Sequence, residues 1–594
     1  DNVMIPVRTP AFWRTLSIFC LGAGNLSAAL RTTVLRAAAS SQHDGASGLE
    51  VSEGLGAAPC AKRALRPRLG APPVWPCKEL ARRKEESKLM TYLDKWNSSS
   101  EPGIVLAAIE EPAPKGKKGL GRLSGAQPFA FGHLIASSVG IVREMERPVD
   151  NQVVMERGEL DGLGFGHPTT VVIDGDRFVM FYHMEKHGVA GRAESTDGIH
   201  WESRQRVNIS QLHLGTDFCV LLDKYEKNPQ FRWKMTANCK DGPDLVCFFS
   251  SANGLNWTQH GARKHIYGGY ADTLACLKHD TPGKDYELIM RYEVPNPALE
   301  GRGIRGSVVL SGPLDEVLRS VHEKVRWRPT ERARLLLDGE AGDAEMFRRQ
   351  VYSLSRTRLS QAGYLGIAQV FEFAERSHNE TDWVRDLQRA QELGLEDEYD
   401  SVPLYFMPSR DGVHFDPSWV YAGAHLLPED MTSGHHFFSQ AGDILTHEGF
   451  HWLYYDRNTE HHNTRWKGQA QIMLARFLEG RMVRLRPVQE TGVLATRAFV
   501  FDPDRRLSLD VLSWSESSTV TAELLPAGRS ASDRTDLLAV PAAVQAAPLR
   551  GVNGSAAVEW LGNTSEFRGR LVHLRLGVSG AYLYGFKLDE PRLA

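Results

Sequence analysis

Apolar residues run through the chain in short bursts divided by polar turns, and from about residue 160 one rhythm recurs. An apolar strand leads to a turn, then to an aromatic-rich strand, then to a third strand. The first unit holds His167-Pro-Thr-Thr-Val-Val-Ile-Asp-Gly, then Arg177-Phe-Val-Met-Phe-Tyr-His183. The second holds Thr216 to Asp223, Phe231 to Met235 and Leu245 to Ser250. The third holds Ala271 to Leu277, Tyr286 to Tyr292 and Gly306 to Ser311. A fourth runs from about Ala344 through Tyr364–Phe371 to Phe415. The fifth holds Gly442 to His447, Phe450 to Tyr455, Gln471 to Phe477 and Met482 to Arg486. Repeated strand units of this length predict blades around a central channel.

A short motif punctuates the rhythm. Ser195-Thr-Asp-Gly-Ile-His-Trp201, Ser251-Ala-Asn-Gly-Leu-Asn-Trp257 and Ser409-Arg-Asp-Gly-Val-His-Phe415 share the form Ser-x-(Asp/Asn)-Gly-x-x-aromatic. Asp-Gly and Asn-Gly supply the positive φ of a tight turn between strands. The aromatic that follows is expected to cover the space between neighbouring blades.

Beyond about residue 489 the pattern changes to strict alternation. Leu507–Leu512, Thr519–Leu525, Leu571–Leu576 and Ala581–Phe586 read as strands with one buried face. Tyr582, Tyr584 and Phe586 are expected to pack against the side of the repeat region. Residues 1–76 are rich in Ala, Gly, Ser, Arg and Pro without period, residues 78–96 favour one helix, and 110–127 read as a linker. Thr381–Gly394 has helical spacing inside the fourth unit. The expected fold is therefore all-β: a five-bladed β-propeller over 128–488 and a β-sandwich over 489–594. A largely disordered extension with targeting segment and possible helix, 1–127, precedes them.

Composition narrows the setting. At 594 residues, 42% hydrophobic and 24% charged, the chain is of globular type, and a formal net charge of -3 argues against a nucleic-acid partner. No run of 18 apolar residues marks a firm membrane span. Leu16–Ala23 follows two arginines and resembles a secretory leader; a poorly ordered extension is the other reading. Sequons at Asn25, Asn97, Asn208, Asn256, Asn379, Asn553 and Asn563 add to a secretory or extracellular expectation, with the cytoplasm as the alternative. Of the seven cysteines, Cys60 and Cys77 flank a Pro-rich stretch and could form a staple. Cys219, Cys239, Cys247 and Cys276 sit in apolar strand-like runs, where free buried thiols are expected.

The stretch from His167 to Tyr182, followed by Ala193-Glu-Ser-Thr-Asp-Gly-Ile-His-Trp, resembles the five-bladed-propeller glycoside hydrolases of families 32 and 43. That resemblance implies a carbohydrate substrate or ligand and hydrolysis by paired carboxyl groups. The chain departs from it where His167 stands before Pro168 in place of the family's first acid, and the following blades carry no Arg-Asp-Pro or Glu-Cys motif. A propeller that binds carbohydrate without turnover is therefore the alternative.

Glycosidic hydrolysis needs one protonated and one ionised carboxyl flanking a bond. Acids recur near the starts of inner strands at Asp217, Asp272, Glu345 and Asp443, with Asp161 shortly before the first. Asp217 and Asp272 form the leading catalytic pair, with Glu345 as third acid and proton donor. Asp161, His167, His183, Arg348 and Asp443 are the candidate substrate-binding residues. His435-His436 and His461-His462 are adjacent pairs, and adjacent strand residues face opposite ways, so no metal site is read there. No metal or other cofactor is expected, and the oligomeric state is left open.

Overall fold

The computed structural model describes residues 120–156, 167–184, 189–209, 214–239, 242–264, 274–295, 303–314, 327–335, 349–359, 362–373, 400–462, 470–527 and 535–589. The leader-like stretch, the 78–96 helix, the Cys60–Cys77 staple and the 381–394 helix lie outside them. Strands dominate the described residues, and α-helix is confined to short turns such as Ser418–Tyr421.

Five antiparallel sheets follow the predicted rhythm. The first is Pro168–Asp174, Arg177–His183, Ala190–Ser195 and Glu202–Arg206 in order. The second is Leu214–Leu222, Trp233–Cys239, Gly242–Ser251 and Asn256–Lys264, extended by Asn208–Ile209 in parallel. The third is Cys276–Lys278, Tyr286–Pro295, Gly303–Gly312 and Arg328–Leu335. The fourth is built on Arg349–Leu359 and Gly363–Phe373, with Asp400–Ser401 and Leu404–Phe406 beside them. β-Branched and aromatic residues fill these strands because they suit a pleated, half-buried surface. Phe178, Met180 and Tyr182 of the first sheet are buried against Trp452 and Tyr454 of the fifth.

The fifth sheet corrects one expectation. Its strands are Phe437–Gln440 and Leu445–His447 on Phe450–Asn458, then Ala470–Leu478, and last Asp150–Glu156. Val483–Pro487, expected as the outer strand, instead pairs with Ile141–Met145. It leaves because Val483 and Leu485 are completely buried in a different core.

The five sheets contact one another in turn. Val220 N donates to Thr170 Oγ1 at 2.9 Å, joining the second sheet to the first. A Cys219–Cys276 disulfide joins the second to the third. Arg305 donates to Gln350 Oε1 at 3.1 Å, joining the third to the fourth. Gln369 Nε2 donates to Phe438 O at 2.8 Å, joining the fourth to the fifth. Gly442 N then donates to Thr169 O at 2.8 Å, returning to the first. The expectation of free thiols is thus corrected: Cys219 pairs with Cys276 across two sheets, and Cys239 with Cys247 on adjacent strands of one sheet, where the register shifts after Asn238. Such bridges belong to oxidising compartments, which points to an extracellular or secreted protein. No helix among the described residues is long and apolar enough to cross a membrane.

Two further sheets enclose a second core. One orders Ile141–Met145, Val483–Pro487, Ala581–Leu588, Leu507–Ser513 and Asn553–Ala557, with Gly125–Pro128 on Ala581–Leu588. The other orders Ile135–Val139, Gly492–Thr496, Leu571–Ser579, Thr519–Pro526 and Val544–Gln545. Along Leu571–Ser579 burial alternates as predicted: Val572, Leu574, Leu576 and Val578 point inward. The sequence pattern places residues 125–145 in the linker and the repeat region. Their hydrogen bonds go instead to strands beyond 483, because their apolar side chains complete this second core.

The second core is continuous with the fourth and fifth sheets. Phe131 and Leu134 share a buried cluster with Leu365, Ile367, Phe406, Trp419, Leu453 and Met473. Arg143, fully buried, reaches Asp416 Oδ2 at 3.3 Å and Ser418 Oγ at 3.1 Å, and lies over Trp419. Of the residues expected at this junction, Phe586 joins the shared cluster, stacked on Phe499 and tilted against Phe129, whereas Tyr584 donates to Glu146 Oε2 at 2.9 Å and Tyr582 meets Trp514 edge-on.

Candidate functional site

His167 precedes the inner strand of the first sheet, and His183 ends that sheet's second strand. The two are neighbours because His183 N donates to His167 O at 3.2 Å. Asp217 comes from the inner strand of the second sheet. There Leu214 faces Cys239 and Phe218 faces Ala237, so residues 215–217 stand opposite Asn238 alone. Bulges of this kind re-aim side chains beside functional sites. Here the bulge brings the Asp217 carboxylate to the imidazoles of the first sheet.

Asp217 Oδ1 lies 3.1 Å from His167 Nε2 and 3.4 Å from His183 Nε2. The two rings sit 4.6 Å apart, with Phe218 against His183. His183 and Asp217 are buried and His167 is 11% exposed at its side chain. Burial alone would raise the Asp217 pKa, but the close polar contacts and charge of His167 and His183 hold the carboxyl well below the usual range. The result is a fixed negative charge between two imidazoles, at the end of the ring where inner strands begin.

Asp443 does not join this cluster. Lys278 Nζ reaches its Oδ1 at 2.5 Å and Gly442 O at 2.7 Å. Asp217 precedes the Cys219–Cys276 bridge by two residues and Lys278 follows it by two, so the bridge stands between the two charged sites along the strands. Burial pushes the Asp443 carboxyl up, and the Lys278 ammonium opposes that rise. Asp161, Asp272, Glu345 and Arg348 lie outside the described residues. The structure therefore unites three of the sequence-derived candidates, His167, His183 and Asp217, and separates Asp443.

The three repeated motifs are structural. Ser195, Ser251 and Ser409 each accept at Oγ from the backbone N–H of Gly198, Gly254 and Gly412, all at 2.9 Å. Asp197, Asn253 and Asp411 accept at Oδ1 from the two amides that follow the glycine. The glycines have φ of 72°, 72° and 77°, the left-handed turn expected. Trp201 packs on Tyr454 of the fifth sheet, Trp257 on Phe181 of the first, and Phe415 with Ile289 and Val309 of the third. Each motif thus seals its own sheet against the preceding one.

Sequence reasoning missed a buried hub between the second and third sheets. Asp223 accepts from Lys234 Nζ at 2.9 Å and Tyr286 Oη at 2.6 Å and meets His279 Nδ1 at 3.0 Å. Its partners come from two strands and from the residue after a third, so no local spacing announces it. A cavity of about 600 Å³ opens elsewhere, beside Leu404, His425, Ser433 and His435. Near it, Glu372 is held low, against its own burial, by His425, Tyr405 and Arg349.

No protein-family model and no curated protein matches the chain. Solved structures similar to it include a thermostable family-43 glycoside hydrolase, at 12% identity over 54% of this chain and 92% of that one, with a TM-score of 0.33. The exo-β-1,3-galactanase of Phanerochaete chrysosporium, in complex with β-1,3-galactotriose, is similar at 9% identity over 74% and 100%, with a TM-score of 0.33. The fructofuranosidase of Schwanniomyces occidentalis, complexed with fructose, is similar at 7% identity over 74% and 98%, with a TM-score of 0.31. All three belong to the superfamily of five-bladed-propeller glycoside hydrolases that the motif order resembles. At these scores the overlap is loose, and the chemistry rests on the residues themselves.

Proposed function

We propose that this chain is a glycosidase-like protein, a five-bladed propeller carrying a β-sandwich, that acts on an oligo- or polysaccharide at the His167–His183–Asp217 end of its ring. The observation that carries the reading is the convergence of those three side chains from two adjacent sheets where their inner strands begin. Imidazoles and an ionised carboxylate are donors and acceptors suited to sugar hydroxyls and to a water molecule. Asp217, held ionised, takes the base side of a glycosidic hydrolysis. The proton for the leaving oxygen falls to Asp272 or Glu345 in this reading, with Asp161 and Arg348 as substrate contacts.

A second reading, carbohydrate binding without turnover, is favoured by the state of Asp443. That recurrent acid is bound to Lys278 rather than free beside Asp217. The test is a glycan panel on the full chain, with binding and sugar release scored separately. Release supports hydrolysis; binding without release supports the second reading; neither would overturn both.

A further inference from the structure

We propose that His167 Nε2, His183 Nε2 and one oxygen of Asp217 form a binding site for a divalent transition-metal ion of the zinc type. One ligand atom from each lies within 4.8 Å of the others, and this is the group among the described residues with that arrangement. Metal–nitrogen and metal–oxygen bonds of about 2.0–2.2 Å in a tetrahedral site set neighbouring ligand atoms about 3.3 Å apart. The two nitrogen-to-oxygen separations are 3.1 and 3.4 Å, and both match that spacing.

A second observation separates this from a plain hydrogen-bonded cluster. His167 Nε2 is buried and 3.1 Å from Asp217 Oδ1, yet the contact lacks the alignment of a hydrogen bond. A nitrogen so close and so misdirected fits ligands that converge on a shared point instead of on one another. The donor set selects the ion. Two imidazoles with one carboxylate suit zinc, iron and their neighbours, whereas calcium and magnesium take oxygen ligands. The scaffold supplies rigidity. Two ligands are tied by a backbone hydrogen bond within one sheet, and the third is aimed by a bulge in the next. Three protein ligands leave a coordination position open, as catalytic sites do. With the ion bound, Asp217 serves as a ligand, and the water it would otherwise face is held by the ion. The assignment extends the hydrolase reading but stands on ligand geometry alone.

The test uses the full chain, stripped with a chelator and titrated with Zn²⁺ and, separately, Co²⁺. One equivalent per chain is expected, with visible cobalt bands of a nitrogen- and oxygen-ligated low-coordinate site. His167→Ala and Asp217→Asn should weaken binding by more than the 10–100-fold typical of losing an outer-shell partner. His461→Ala, which removes a histidine stacked on His436 elsewhere, should leave binding unchanged. Circular dichroism checks each variant's fold, and the cobalt spectrum of the unsubstituted chain needs no variant. Absence of stoichiometric binding, or binding that persists in folded His167→Ala and Asp217→Asn, would overturn the assignment. Stoichiometric binding without sugar release would keep the site and sink the glycosidase reading. Sugar release without stoichiometric metal binding would do the reverse.

Discussion

At the scale of single residues, burial decides what each titratable group can do. His133 and His451 are buried, and desolvation lowers their pKa values to about 3 and about 4. Arg410 and Arg497 add to the effect at His133. Between the ordinary histidine value and these lowered ones, the unfolded chain takes up protons that the folded chain refuses. Stability therefore falls as pH drops from about 6.5 toward 4, by ~1.4 kcal/mol per pH unit for each histidine. Chemical denaturation at several pH values should show that slope, and His133→Gln should flatten it; a slope unchanged by the substitution would refute the assignment. Steric limits make an equally local prediction. Gly412 and Gly449 share a φ of 77°, but a Cβ on Gly412 would collide with Arg356 Nη1, whereas Gly449 faces open space. Gly449→Ala should cost about 1–2 kcal/mol, the left-handed penalty alone. Gly412→Ala should cost clearly more, because it also displaces the buried Arg356 from Asp280 and Glu287. Equal melting temperatures for the two would contradict this account.

At the scale of elements, the disulfides differ in what they constrain. Cys219–Cys276 closes 57 residues between two sheets, and Cys239–Cys247 closes 8 within one. Loop-closure entropy predicts about 4 kcal/mol for the first and about 2.5 kcal/mol for the second. Thermal melts of the two double Cys→Ser variants should rank in that order, and the reverse ranking would tell against the ring-tying role of the first. Much of this level was legible in sequence, because alternation and turn chemistry are local. The Ser-x-(Asp/Asn)-Gly turns formed as read, down to the aromatic that covers the neighbouring sheet. What sequence could not show was pairing between distant segments. Asp150–Glu156 closes the fifth sheet from more than three hundred residues away, and Val483–Pro487 looks like a continuation of that sheet until its true partner is known. The site divides the same way. His167, His183 and Asp217 were each visible as strand-end polar residues, but their convergence depends on a bulge that no spacing encodes.

At the scale of the whole molecule, the second core runs on into apolar side chains of the fourth and fifth sheets, and this constrains how the protein can be cut. Removing residues 489–594 would strand Phe129, Phe131, Leu134 and Ile135 and leave the strands at 125–145 without most of their partners. The truncated chain should aggregate or melt far below the intact one, and a soluble fragment with an unchanged melting temperature would refute the shared core. The proposed function places the chemistry at one end of the ring, where Asp217 sits between two imidazoles. Sugar release from a glycan panel, by the intact chain and by Asp217→Asn at matched melting temperature, tests that claim most directly. The account predicts release by the intact chain and its loss in the variant. Equal release by both would contradict it and move the chemistry away from His167, His183 and Asp217.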